Sequence, residues 1–217
     1  MVTVIDYGIG NLRSIEKAFE TVGAPVNRTD DPEDVATADR LVLPGVGAFR
    51  ACIDEIRQRD LEAPILTAID RGTPFLGVCV GMQLLFETGH EKGEHEGLGV
   101  LPGYVAHFRD TKAEMPKDLS VPHMGWNTIE PTRESPLLSG LGDTSHVYFV
   151  HSYHPVAAND RDVLALTTYG HAFPSIVHRD NVFGVQFHPE KSQAAGLGLL
   201  ENFTGLEHSP QDTEAVA

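Results

Sequence analysis

Short β-branched or aliphatic runs that end in a glycine turn and hand over to a helical pattern recur along the first 90 residues. Few architectures accept that repeat. Val2-Thr3-Val4-Ile5 reads as a buried strand, and Asp6-Tyr7-Gly8-Ile9-Gly10-Asn11 supplies a tight turn. Leu12, Ile15, Ala18, Phe19 and Val22 then recur at helical spacing until Gly23 stops the helix. Arg40-Leu41-Val42-Leu43 repeats the strand and ends in Pro44-Gly45-Val46-Gly47, with helical segments expected over 50–59 and 62–71. Pro74-Phe75-Leu76-Gly77-Val78 is a third buried strand, and Met82-Gln83-Leu84-Leu85-Phe86 is expected to open another helix. Strand–turn–helix repeats of this kind build a parallel sheet with helices on both faces.

The second half changes rhythm. His146–Val150, Val163–Thr167 and Val182–Phe187 read as strands separated by short turns, with a hairpin at Asp180-Asn181 after Ser175-Ile176-Val177-His178. A last helix is expected from about Gln193 to Phe203. The reading is one α/β domain over 1–206, a three-layer α/β/α arrangement with a mixed, mainly parallel central sheet. Residues 207–217 are expected to fray as a polar tail.

Composition narrows the function. The 31 acidic residues exceed the 16 basic ones, for a formal net charge of −15. Such a chain repels phosphate backbones, so neither nucleic acid nor an anionic membrane surface is an expected partner. No run approaches the roughly 18 apolar residues of a membrane span. The N-terminus lacks a secretory pattern, and two cysteines cannot make a disulfide framework. A cytoplasmic protein is expected. Five lysines against 11 arginines, with dispersed carboxylates, suit a salt-rich solvent that screens self-repulsion. An ordinary acidic protein is the alternative.

Gly77-Val78-Cys79-Val80-Gly81 has the spacing of a nucleophile elbow with cysteine in place of serine. A sharp strand-to-helix turn exposes the thiol at a helix N-terminus, and the flanking glycines admit neighbouring chain without a Cβ clash. A buried structural cysteine is the competing reading, and the preferred one for Cys52. His188 emerges at the end of an apolar strand and heads His188-Pro189-Glu190. Proline holds His188 extended, so Glu190 should lie on the same side and orient its ring. Most of the 11 histidines are expected to be solvated, and His90–Glu96 matches no metal template, so it reads as a solvated loop. The glycine-flanked Leu43–Ala48 loop can turn a backbone N–H toward a reacting carbonyl.

Together these segments resemble the class I (triad) glutamine amidotransferases. Gly77–Gln83 is similar to the nucleophile motif and Phe187–Glu190 to the histidine–glutamate motif. Ile5–Leu12, Leu43–Phe49, Pro122–Asn127, Tyr148–Tyr153 and Phe187–Ser192 extend the likeness to about residue 205, toward the glutaminase branch of histidine biosynthesis. Val80 stands where leucine is common and Ser152 where threonine is common. The resemblance implies a flavodoxin-like fold and a triad of Cys79, His188 and Glu190. It implies oxyanion donors from Val80 and from the Gly45–Val46 peptide. It implies a glutamine site of Gly47, Gln83, Glu91, Ser152 and Tyr153. No cofactor or metal is implied. The implied partner is a (β/α)₈-barrel cyclase that receives ammonia, facing Asn11, Pro122, Met124, Trp126 and Lys191 in a heterodimer. A glutaminase for another partner, such as that of anthranilate synthase, and a non-catalytic relative are the alternatives.

Overall fold

The computed structural model describes residues 1–111, 113–142 and 145–208 of the 217-residue chain. Its strands are, in chain order, β1 (Val2–Ile5), β2 (Val26–Thr29), β3 (Leu41–Gly45), β4 (Phe75–Cys79) and β5 (Phe86–Gly89). There follow β6 (His95–Glu96), β7 (Leu101–His107), β8 (His123–Thr128), β9 (Glu130–Pro131) and β10 (His146–His151). The last four are β11 (Tyr153–Ala157), β12 (Val163–Tyr169), β13 (His171–Arg179) and β14 (Val182–Val185). The helices are α1 (Leu12–Thr21), α2 (Pro32–Ala36), α3 (Phe49–Gln58), α4 (Glu62–Asp70), α5 (Val80–Gln83) and α6 (Gln193–Thr204).

Eight strands form a mixed sheet in the order β2-β1-β3-β4-β14-β13-β12-β9. The pairings from β2 to β14 are parallel and those beyond β14 are antiparallel. Every residue of β3 and β4 is buried, as central strands covered on both faces require. Amphipathic helices complete the core: α1 buries Ile15, Ala18 and Phe19, and α3 buries Phe49, Cys52, Ile53 and Ile56. The α1 helix packs against α6 and α2 against α4. The carboxyl ends of β3, β4 and β14 therefore lie side by side, where open α/β sheets place ligands.

Two smaller sheets were not expected from the sequence. One has the order β11-β7-β5-β6, and the other is an antiparallel β8–β10 ribbon. The expected helix from Met82 is also corrected. The α5 helix ends at Gln83, and Phe86 begins β5. The reason is long-range: the Leu84 and Leu85 carbonyls accept the N–H groups of Leu98 and Leu101 instead of continuing a helix. Apolar spacing alone cannot reveal that competition. The expected tail lies outside the described residues from 209 onward.

Candidate active site

Cys79 closes β4 with φ 56° and ψ −111°, a conformation that non-glycine residues rarely adopt. Close packing holds it there. A Cβ on Gly77 would stand 2.6 Å from the Gly81 carbonyl oxygen, and one on Gly45 would stand 2.5 Å from the Gly81 nitrogen. A Cβ on Gly81 would collide with the Leu43 carbonyl. The elbow glycines thus serve the close approach expected of them, pressing the turn onto β3. The helix behind the thiol is a single four-residue turn, however. Its dipole is correspondingly small, and the expectation of a full helix N-terminus is corrected.

His188 approaches from the end of β14. Its backbone is extended, with φ −100° and ψ 98°, and caps a 3₁₀ turn over Pro189–Lys191. This corrects the expected geometry. Glu190 reaches His188 because the chain turns, not because it stays extended. The result is a 2.9 Å contact from His188 Nδ1 to Glu190 Oε1 between two almost fully buried side chains. Burial pushes the His188 imidazolium down, but hydrogen bonds with Cys79 and Glu190 outweigh it and raise the ring to about 9. The ring is therefore cationic at neutral pH beside the sulfur, the state that favours a nucleophilic thiolate.

Cys79 and His188 line a cleft of about 240 Å³. Val46, Gly47, Val80, Gln83, Glu91, Ser152, Tyr153 and Lys191 line it too, so the structure gathers the catalytic, oxyanion and glutamine-site residues picked from sequence apart from Gly45 and Glu190, which reaches the cleft only through the His188 ring. Gly45 lies just behind, paired with Cys79 in the β3–β4 register. Glu91 is oriented by the Phe49 N–H, which donates to its Oε2 at 2.9 Å. The segment expected to be a solvated loop thus sends a carboxylate into the cleft, and its His95–Glu96 pairs with β5. Among the described residues no group of three or more His, Cys, Asp or Glu side chains is arranged to hold a metal ion.

Sequence reasoning missed several supporting groups. Tyr7 donates its hydroxyl to the Pro44 carbonyl at 2.7 Å, and the Cys52 thiol donates to the Val46 carbonyl at 3.4 Å. Cys52 is buried, and burial pushes its thiol up to about 11, although the Tyr7 hydrogen bond opposes the rise. It is a neutral donor that steadies the loop. Gln186, also buried, brings its Nε2 to 3.7 Å from Cys79 Sγ. A glutamine inside the apolar run Val182–Phe187 was the available signal.

The histidines are corrected as well. His123, His151, His154 and His188 are buried, and only His90, His146 and His208 are exposed. His123 Nδ1 meets His151 Nε2 at 3.1 Å, and His151 Nδ1 donates to the Tyr153 carbonyl at 2.8 Å. His154 and His171 meet at 3.1 Å, and Phe108 packs among all four rings. Burial pushes His123 and His154 down to about 4.

Alternation along β8 buries His123 and exposes Met124 and Trp126, at 62% and 47%. Trp126 packs edge-on against Tyr148, its cross-strand partner, and Lys191 Nζ lies 5.9 Å from the Tyr148 ring centre. The Tyr148 carbonyl accepts the His188 N–H at 2.9 Å. Pro122 is exposed beside this patch, and Asn11 is half-buried at the start of α1. Trp126 is not a core tryptophan.

A strained cysteine elbow at the end of a buried parallel strand, facing a histidine–glutamate pair, defines a class of enzyme. Residues 3–205 match the family Glutamine amidotransferase class-I, and the chain belongs to it. Within that class it belongs with the HisH subunits of imidazole glycerol phosphate synthase. The protein of that name from Salinibacter ruber is 79% identical over the full length of both chains. The one from Syntrophotalea carbinolica is 51% identical over 94% of this chain and 98% of its own. The structure of PurLQS from Thermotoga maritima shares the fold. Its TM-score is 0.69 at 19% identity, with 94% of this chain and 97% of that one covered.

Proposed function

We propose that this chain is the glutaminase subunit of an imidazole glycerol phosphate synthase and supplies ammonia for histidine biosynthesis. The observation that carries the chemistry is Cys79 on its strained elbow in one cleft with His188, whose ring Glu190 holds from behind. The Cys79 thiolate attacks the side-chain amide carbon of glutamine. His188, cationic at neutral pH, gives its proton to the departing nitrogen, and ammonia leaves a glutamyl thioester. His188 then takes a proton from water, which attacks the thioester and releases glutamate. Glu190 holds the ring on Nδ1, leaving Nε2 for the transfers.

The tetrahedral oxyanion is stabilised by the Val80 N–H and by the Gly45–Val46 peptide once it is turned inward. A missing donor costs about 10²–10³ in rate, so the isolated subunit should be slow and the assembled one fast. Gly47, Gln83, Glu91, Ser152 and Tyr153 hold the glutamine. Ammonia released into neutral water would protonate and lose its nucleophilicity. The product therefore passes directly into a (β/α)₈-barrel cyclase, docked in a heterodimer on Met124, Trp126, Pro122, Asn11 and Lys191. An exposed tryptophan flanked by methionine, tyrosine and lysine has the make-up of an interface anchor. Among the described residues no helix is long and apolar enough to cross a membrane, and we place the reaction in the cytoplasm.

A glutamine-shaped electrophile tests the reading. It should add to Cys79 and block turnover of the complex. Addition at Cys52 alone, or turnover persisting in the adduct, sinks it.

A further inference from the structure

We infer that Gln186, locked by Gln83, is a neutral hydrogen-bond donor that stabilises the Cys79 thiolate. The inference rests on Cys79 being the nucleophile and adds a residue that the triad does not include. Gln186 lies between β14 and His188, and its N–H donates to the Ser175 carbonyl at 2.9 Å. Its side chain is fully buried, where an amide without partners would be costly.

The network fixes which way both amides point. The Tyr153 carbonyl can only accept, so the end of Gln83 lying 3.0 Å from it is the nitrogen. That same nitrogen lies 3.1 Å from Gln186, whose facing atom must then be its oxygen. With Oε1 committed to Gln83, Gln186 turns Nε2 toward Cys79 Sγ at 3.7 Å. Among the described residues the sulfur is the acceptor this nitrogen has. A thiolate accepts such a bond better than a thiol does, because the bond is then charge-assisted. Unlike His188, the amide has no proton to give away. It can hold negative charge on sulfur while His188 moves its proton to the leaving nitrogen.

The arrangement reaches beyond the sulfur. Gln83 bonds the Tyr153 carbonyl, which also accepts from His151, so the segment lining the substrate cleft and the donor to the nucleophile share one buried amide. Gln83 thus acts as a positioning residue through Gln186, whatever else it contacts.

The test is alkylation of Cys79 by iodoacetamide in the full chain, followed on the Cys79 peptide by mass spectrometry. It is run at neutral pH and again in alkali strong enough to ionise any thiol. Gln186→Met keeps the volume, removes the donor and leaves Gln83 bonded to Tyr153. The expected result is alkylation about tenfold slower at neutral pH, a loss of about 1.4 kcal/mol, with wild-type rates in alkali. In complex with the cyclase, kcat for glutamine should fall by a similar factor with KM within about twofold. Equal alkylation at both pH values overturns the inference, and so does slower alkylation at both, which would mean altered access. Gln186→Leu repeats the measurement if methionine does not pack. Glutaminase activity surviving in Cys79→Ala would instead refute the reaction itself, whatever Gln186→Met shows.

Discussion

The neutral histidines around Phe108 make stability depend on acid, and the size of the effect follows from their shifts. His123 and His154 are pushed by burial from the ordinary value near 6.5 to about 4. Their folded values lie below their unfolded ones, so the unfolded chain binds the extra protons. Stability is complete above about pH 6.5 and is lost as pH falls toward 4. At pH 5 each ring costs about 2 kcal/mol, and the pair about 4 kcal/mol. His151, fully buried and shifted in the same direction, adds to the loss. For a chain of this length, that should lower Tm by on the order of 10 °C between pH 7 and pH 5. The assay is a pair of thermal melts at fixed ionic strength on the wild type and on a His123→Gln/His154→Gln variant. The variant loses hydrogen bonds to His151 and His171 and should melt lower at pH 7. Its drop between pH 7 and pH 5 should shrink to less than half of the wild type's. Protonation also eases the repulsion of the net −15 charge, but that background acts on both chains. An undiminished drop in the double variant would refute the reasoning.

Other expectations follow from single contacts. Cys79→Ala should abolish glutamine-dependent product formation in the complex while leaving ammonia-dependent formation intact; loss of both would mean Cys79 serves folding or docking. Gly81→Ala forces a methyl into the Leu43 carbonyl, so it should cost about 3 kcal/mol or more in a denaturant titration, and wild-type stability would show that the elbow relaxes freely. Trp126→Ala should weaken binding to the cyclase by roughly 2 kcal/mol without changing the Tm of the free chain, and calorimetry showing unchanged affinity would remove Trp126 from the interface. Molar salt should raise Tm if the dispersed carboxylates repel one another; a flat response leaves an ordinary acidic protein.

The parts of the fold that the sequence made legible are those whose burial is nearly complete. Leu41–Gly45 and Phe75–Cys79 are apolar throughout because both faces are covered, and the glycines at and just beyond their ends announced the elbow and the loop beside it. The Val26-Asn27-Arg28-Thr29 strand was illegible because an edge strand tolerates polar residues, and only its parallel register with β1 makes it a strand. Phe86–Gly89 was lost to an apparent helix because the partners that unwind it, Leu98 and Leu101, lie over ten residues away. Within the site, Cys79, His188 and Glu190 were readable from local motifs. The amides of Gln83 and Gln186 meet only through the fold, since 103 residues separate them. The buried histidines mislead composition-based reading for the same reason: His123, His151 and His154 are held neutral by burial, and the packing around Phe108 that buries them is assembled from distant positions.

Tyr148 belongs to two surfaces at once. Its ring lies among Trp126 and Lys191 on the outside, while its carbonyl bonds the His188 backbone inside. A partner that shifted this strand by a few tenths of an ångström would carry the imidazole along, with no intervening machinery to absorb the motion. In the proposed complex, remodelling this patch would therefore also retune the chemistry, so affinity and turnover would be coupled through this residue.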